Sequence, residues 1–207
     1  MPIQAAVPHG TRRLYRPRRK TWTRREYERL VDMGILTPDD RVELLEGEIV
    51  QKMPHKTPHA TGICLSEEAI RRVLPPGYVV RTQLPVALGD LSEPEPDIAV
   101  IEGSVRDYEA AHPSTAALLI EVSDTTLRVD CTTKAGLYAR AGIADYWVLD
   151  LNDRRLIVHR QPVPMPDRPL GFSYASVTYY AEGEQVIPLA AGDVAIPVAD
   201  LLPRAKR

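Results

Sequence analysis

Three carboxylates in this chain sit where the local pattern directs them inward. Asp97 opens the apolar run Pro96-Asp97-Ile98-Ala99-Val100-Ile101, and Glu121 lies inside Leu118-Leu119-Ile120-Glu121-Val122. Glu43 is enclosed in Arg41-Val42-Glu43-Leu44-Leu45. An ionised carboxylate buried in such a run is costly unless a cation or hydrogen-bond donors compensate it. Lys134 supplies a candidate cation, because it falls in the first turn of the helix expected over residues 132–141. A positive charge there opposes the helix dipole, so a nearby carboxylate or ligand explains it better than helix stability does. Carboxylates held close together repel unless a divalent cation neutralises them. Oxygen donors without a His/Cys set favour Mg²⁺ or Mn²⁺ over zinc. The chemistry this set can support is metal-assisted hydrolysis.

Each residue also has a plainer reading. Glu43 can pair with Arg41 or Lys52 across a hairpin, and Asp97 can bond local backbone at a strand entry. Asp130 reads as a helix cap. His59 is either a helix-start residue with an exposed ring or a group near the site, with an adaptable protonation state. Tyr138, one helical turn beyond Lys134, either borders the site or packs. Glu46 and Glu48 read as turn and surface residues, and Cys64 and Cys131 as small buried apolar ones.

The elements that must position these residues follow from periodicity and punctuation. Thr23-Arg24-Arg25-Glu26 has capping-box spacing, and Tyr27, Leu30 and Val31 give a helical stripe ending at Gly34. Residues 41–45 and 48–53 form a hairpin around Glu46-Gly47. Thr57-Pro58 is a cap followed by proline, opening a helix with Ile63, Ile70, Val73 and Leu74 on its buried face. Strands are expected at 78–88, 97–101, 117–122, 146–151, 156–160 and 172–180, with Gly142 closing the helix before the fourth. The segment 161–169 holds four prolines and reads as a loop or exposed edge. Strands interleaved with three helices predict an α/β (α+β) fold with a mixed central sheet flanked by helices.

These residues, in this order, resemble the PD-(D/E)XK nuclease superfamily, and within it the Uma-type family of restriction endonucleases. The resemblance rests on Glu43-Leu44-Leu45-Glu46-Gly47-Glu48, His59, Pro96-Asp97, Glu121-Val122-Ser123, and Asp130, Lys134 and Tyr138 on one helix. The stretch Ala141-Gly-Ile-Ala-Asp-Tyr-Trp-Val-Leu-Asp150 is its most specific part, and the match spans about residues 23–180. It implies a restriction-endonuclease-like fold and Mg²⁺-dependent (or Mn²⁺-dependent) hydrolysis of DNA phosphodiester bonds. By that resemblance Asp97 and Glu121 are metal ligands with Glu43 completing the shell, Lys134 is catalytic, and His59 and Tyr138 border the site; Asp124 is an extra acid of this chain beside it. Two departures stand out. The superfamily lysine normally follows the acid by two residues, where this chain has Ser123, so Lys134 inherits its role. The family commonly continues Pro-Ser-Thr, where this chain has Asp124-Thr125-Thr126. The rivals are a catalytically degraded nuclease fold that binds DNA or a protein, and a glycosidase-like acid pair, for which one Phe and two Trp offer few sugar platforms.

Composition bounds the rest. The chain has 207 residues, 44% hydrophobic and 26% charged, which excludes collagen-like and wholly disordered classes. Two cysteines make no disulfide framework, no signal peptide is evident at the start, and no apolar run is long enough to span a membrane. A cytoplasmic protein without a membrane partner is expected, and a homodimer suits double-strand cleavage. The formal charge of −2 hides a split: residues 1–25 carry eight basic side chains and no acid. A basic, flexible arm is therefore expected over residues 1–22, with Arg12, Arg13, Arg16, Arg18, Arg19 and Lys20 as a possible DNA clamp, followed by a single domain over 23–203.

Overall fold

The capping signal at Thr23 forms as its spacing predicts. In the computed structural model, which describes residues 19–54 and 56–205, the Thr23 hydroxyl accepts the Glu26 N–H and the Glu26 carboxylate accepts the Thr23 N–H. Helix α1 (Arg24–Asp32) follows, then the hairpin of β1 (Val42–Leu45) and β2 (Glu48–Gln51), in antiparallel register with Leu45 opposite Glu48. Helix α2 (Thr57–Val73) starts one residue earlier than expected. Lys56 is its cap, and Pro58 sits second, where its missing N–H again leaves no helical bond unmade.

The central sheet has six strands in the order β3 (Tyr78–Thr82), β4 (Ile98–Glu102), β5 (Leu118–Ser123), β6 (Asp145–Asp150), β7 (Arg155–Pro164) and β8 (Phe172–Ala181). Only β5 and β6 run parallel; their crossover is a helical run, as a parallel pair requires. Alternation along the strands splits the core into two layers. Ile98, Ile120, Val122, Trp147 and Leu149 face α2 and the C-terminal segment through Ile70, Ile196 and Leu201. Ala99, Ile101, Leu119, Tyr146 and Val148 face Leu45, Leu137 and Tyr138 on the other side. Gly62 lets α2 approach β5 closely, since a Cβ there would lie 3.0 Å from Val122 Cγ1. A short pair, β9 (Gln185–Val186) with β10 (Ile196–Pro197), completes the first layer. This is the mixed central sheet flanked by helices that the sequence predicts.

Three expectations are corrected, and the proline-rich stretch takes the second of its two readings, an exposed edge. The apolar run 78–88 is strand only to Thr82; Gln83 takes a left-handed backbone, and Val86, Ala87 and Leu88 are buried as a packing loop. The proline-rich stretch extends β7, with Pro162 opposite Tyr174 and Pro164 opposite Phe172. β6 pairs with β7 only as far as Arg160, so these prolines lie where one side of the strand has no ladder to complete. The crossover helix begins at Leu127 rather than near 132, as α3 (Leu127–Val129), a π-helical turn (Asp130–Lys134) and α4 (Ala135–Arg140). Cys64 is exposed and Cys131 only half-buried. Among the described residues no helix is long and apolar enough to cross a membrane.

Candidate active site

Asp97 and Glu121 are brought together by strand register. β4 and β5 are antiparallel with Ile98 opposite Ile120, and one further step places Asp97 beside Glu121. The Val122 N–H donates to Asp97 Oδ2 at 2.8 Å, fixing that juxtaposition. His59, near the start of α2, meets Asp97 Oδ1 through Nε2 at 3.3 Å. Glu43 enters from β1, where Oε2 accepts the Glu95 N–H at 3.0 Å.

The crossover helix delivers the cation. Lys134 Nζ donates to Glu121 Oε1 at 2.9 Å and lies 3.6 Å from Glu43 Oε1. Tyr138 donates to the same Glu121 oxygen at 2.6 Å, so neither bond engages Oε2. Lys134 ends a π-helical turn two turns into the helical run, so the dipole argument for its placement does not apply. The π turn acts instead on direction. It is wider than an α turn, and it offsets the drift that separates residues i and i+8 on an ordinary helix. Asp130, Lys134 and Tyr138 are all buried as a result. Asp130 is therefore not a helix cap. It is buried mid-run and accepts the Thr126 hydroxyl at 2.6 Å.

Glu43, Asp97, Glu121 and Asp130 are each at most 5% exposed and line a pocket of about 550 Å³, where Lys134 is the one buried ammonium among the lining residues; it pairs with Glu121 and Glu43, while Asp97 meets the His59 ring and Asp130 the Thr126 hydroxyl. Burial pushes the Glu121 carboxyl well above the usual range, with Lys134 pulling it back and Asp97, Asp130 and Glu43 pushing it further. Burial raises Asp130 in the same way. For Asp97 burial is outweighed by the His59 ring, the Val122 N–H and Lys134, which hold it below the ordinary range. Burial opposes charge on Lys134, but Glu121, Glu43 and Asp130 prevail and keep the ammonium protonated.

The donor set is hard oxygen, under-compensated and open at Glu121 Oε2, which suits a hard divalent cation in type and charge. Among the described residues no three His, Cys, Asp or Glu side chains form a ready-made metal-coordinating group. Lys134 stands against both Glu121 and Glu43, as the cationic partner they share.

Every residue singled out in the chain's interior reaches this pocket or its wall. Glu43, His59, Asp97, Glu121, Asp124, Asp130 and Lys134 line it, and Tyr138 supports it from behind. Asp124 is at the edge, 3.6 Å from Lys56. Arg12, Arg13, Arg16 and Arg18 lie outside the described residues. Arg19 and Lys20 do not enter the pocket; they pair with Glu48 at 3.4 Å and Glu26 at 2.7 Å. Sequence reasoning missed the residues that brace the hairpin. Glu46 is clamped by Arg140 and Ser92, and Lys52 pairs with Glu95 rather than Glu43. Nothing local marks these contacts, because each joins segments more than 40 residues apart.

A family model described as "Uma2: Putative restriction endonuclease" matches residues 24–199. The structure is similar to the crystal structure of "a putative nuclease belonging to DUF820" from Anabaena variabilis, with a TM-score of 0.61 at 20% identity, over 83% of this chain and 96% of that one. At that identity the likeness speaks for the fold. The comparison with curated proteins finds no match. With its family match running from α1 to the C-terminal segment, the chain belongs to the Uma2 restriction endonuclease family.

Proposed function

We propose that this protein is a divalent-metal-dependent nuclease acting on DNA, with Asp97, Glu121, Glu43 and Lys134 as its working residues. The observation that carries the reading is the clustering of acids: four buried carboxylates line one pocket with a single buried ammonium, which pairs with two of them. Such an arrangement is costly for the apo fold and is relieved by a divalent cation, for which Asp97, Glu121 and Glu43 are the donors. When bound, Mg²⁺ or Mn²⁺ supplies Lewis acidity toward a phosphoryl oxygen and neutralises charge that builds there.

The chain's own residues do the rest. Lys134 is held charged, so it serves as an electrostatic donor to the phosphate rather than as a base. Tyr138 fixes Glu121 through Oε1 and leaves Oε2 for the cation. The Val122 N–H and His59 orient Asp97. The pocket wall keeps bulk water from screening these charges.

A second reading, a nuclease fold that holds DNA or a protein without cutting, is favoured by the lack of a ready-made metal-coordinating group among the described residues. The test is incubation of plasmid and single-stranded DNA with Mg²⁺, Mn²⁺ or chelator, for wild type and Lys134→Ala. Metal-dependent cleavage that falls by about 10²–10³-fold in the variant, the scale of one lost electrostatic donor, supports catalysis. Binding with no cleavage in either protein selects the second reading.

A further inference from the structure

The site's surroundings bear on which form of DNA enters it, an inference that rests on the nuclease reading above. The carboxylates are buried, while the pocket's outer wall carries exposed apolar side chains, Met53 at 62% and Val129 at 45%. Its two lysines, Lys52 and Lys134, are both held by carboxylates. A double helix is gripped through its phosphates by basic side chains. The apolar side chains at its mouth instead offer packing for bases that have left the stack, with His59 the one aromatic ring among the lining residues.

Beside the pocket lies a larger groove of about 1040 Å³, between the start of α2, the turn after β6 and the C-terminal segment. Asp124 lines both cavities. Groove-lining Lys56, Arg72 and Arg204 are cations that a phosphate can recruit. Lys56, with its side chain 69% exposed, faces Asp124 at 3.6 Å, and Arg72 faces Asp200 at 3.5 Å. Both are long, solvated pairs that a phosphate oxygen can displace. Arg154 is committed elsewhere, to Glu182 and the Pro203 carbonyl. Asp124 thus marks the junction.

We propose that pocket and groove together take a single-stranded DNA segment. The reacting phosphodiester and its bases occupy the apolar-walled pocket, and the flanking phosphates lie on Lys56, Arg72 and Arg204. Strand entry exchanges the Asp124 carboxylate on Lys56 for a phosphate.

The experiment is fluorescence anisotropy with the full chain in chelator, using a labelled single-stranded oligonucleotide and its blunt duplex across a salt series. The single strand is expected to bind about tenfold more tightly, and Lys56→Ala with Arg204→Ala to reduce the salt slope by about 0.7 per lost contact. Asp124→Ser is expected to tighten single-strand binding by releasing Lys56. Tighter duplex binding, or a salt slope unchanged in the double variant, overturns the proposal. A parallel cleavage assay with Mn²⁺ separates the two claims. Duplex cleavage with an unchanged salt slope leaves the nuclease reading standing and removes this one. Single-strand binding as expected, without cleavage, supports the groove and removes the nuclease reading.

Discussion

Two groups of buried acids in this protein differ in what surrounds them. Asp145, at the start of β6, is fully buried and accepts four hydrogen bonds: Trp147 Nε1 at 2.8 Å, Arg160 at 2.8 and 3.2 Å, and the Leu189 N–H at 2.9 Å. Asp150, at the end of the same strand, accepts the Asn152 and Asp153 N–H groups and Arg155. Each has a guanidinium within reach, Arg160 for Asp145 and Arg155, which Asp153 shares, for Asp150, and a nearly complete set of donors. Around Lys134 four buried acids line one pocket, and its ammonium pairs with two of them, Glu121 and Glu43. Burial alone therefore does not identify a working carboxylate; the ratio of carboxylates to compensating groups does. Saturated acids hold the fold, and under-compensated ones leave charge for a ligand to meet.

The contrast can be broken most severely at Asp145. Asp145→Ala leaves Arg160 without its partner and is expected to cost about 3–5 kcal/mol in urea unfolding, with any cleavage activity falling only as the protein unfolds. Glu121→Gln should do the reverse, keeping the unfolding midpoint near that of wild type, because Lys134 retains Glu43.

His159 tests the same idea with a base. It is buried between Tyr146 and Tyr174, its Nδ1 has no hydrogen-bond partner, and burial pulls its pKa from 6.5 down to about 4. The unfolded chain therefore takes up the proton first as pH falls. This group's contribution is complete above about pH 6.5 and is lost as pH drops toward 4, by about 3 kcal/mol over that window. Unfolding of His159→Phe measured across that range should lack this part of the acid sensitivity.

Removing the shared cation has a smaller expected effect on stability. Lys134→Met should cost about 2 kcal/mol at pH 8, because Glu121 and Asp130, both already raised by burial, can relieve the repulsion by binding protons. The loss should shrink as pH falls or as Mn²⁺ is added, read as a recovery in thermal midpoint. At the far end of the scale, Glu48→Gln removes only the exposed Arg19 pair and should leave the midpoint where it was.

Much of this was legible in the sequence, for identifiable reasons. Continuous apolar runs placed β4, β5 and β6, and an acid opening or interrupting such a run marked Asp97 and Glu121 without any knowledge of the partner strand. What stayed hidden depends on tertiary context. The π turn at Asp130–Lys134 has no composition signal, since the same residues read equally well as an α-helix start. Proline-bearing β7 reads as either a loop or an exposed edge until one knows that its far end is paired on one side only. Asp130 looked like a cap because capping is a local property and burial is not.

A cation-dependent cleaving site at the acids around Lys134 is tested by DNA cleavage by wild type, Asp97→Asn and Glu121→Gln, each first shown folded by its unfolding midpoint, with Mn²⁺ and with chelator. The expected outcome is cleavage by wild type only in metal and loss in both variants despite intact folding. Cleavage that persists in chelator, or survives in both variants, rules such a site out.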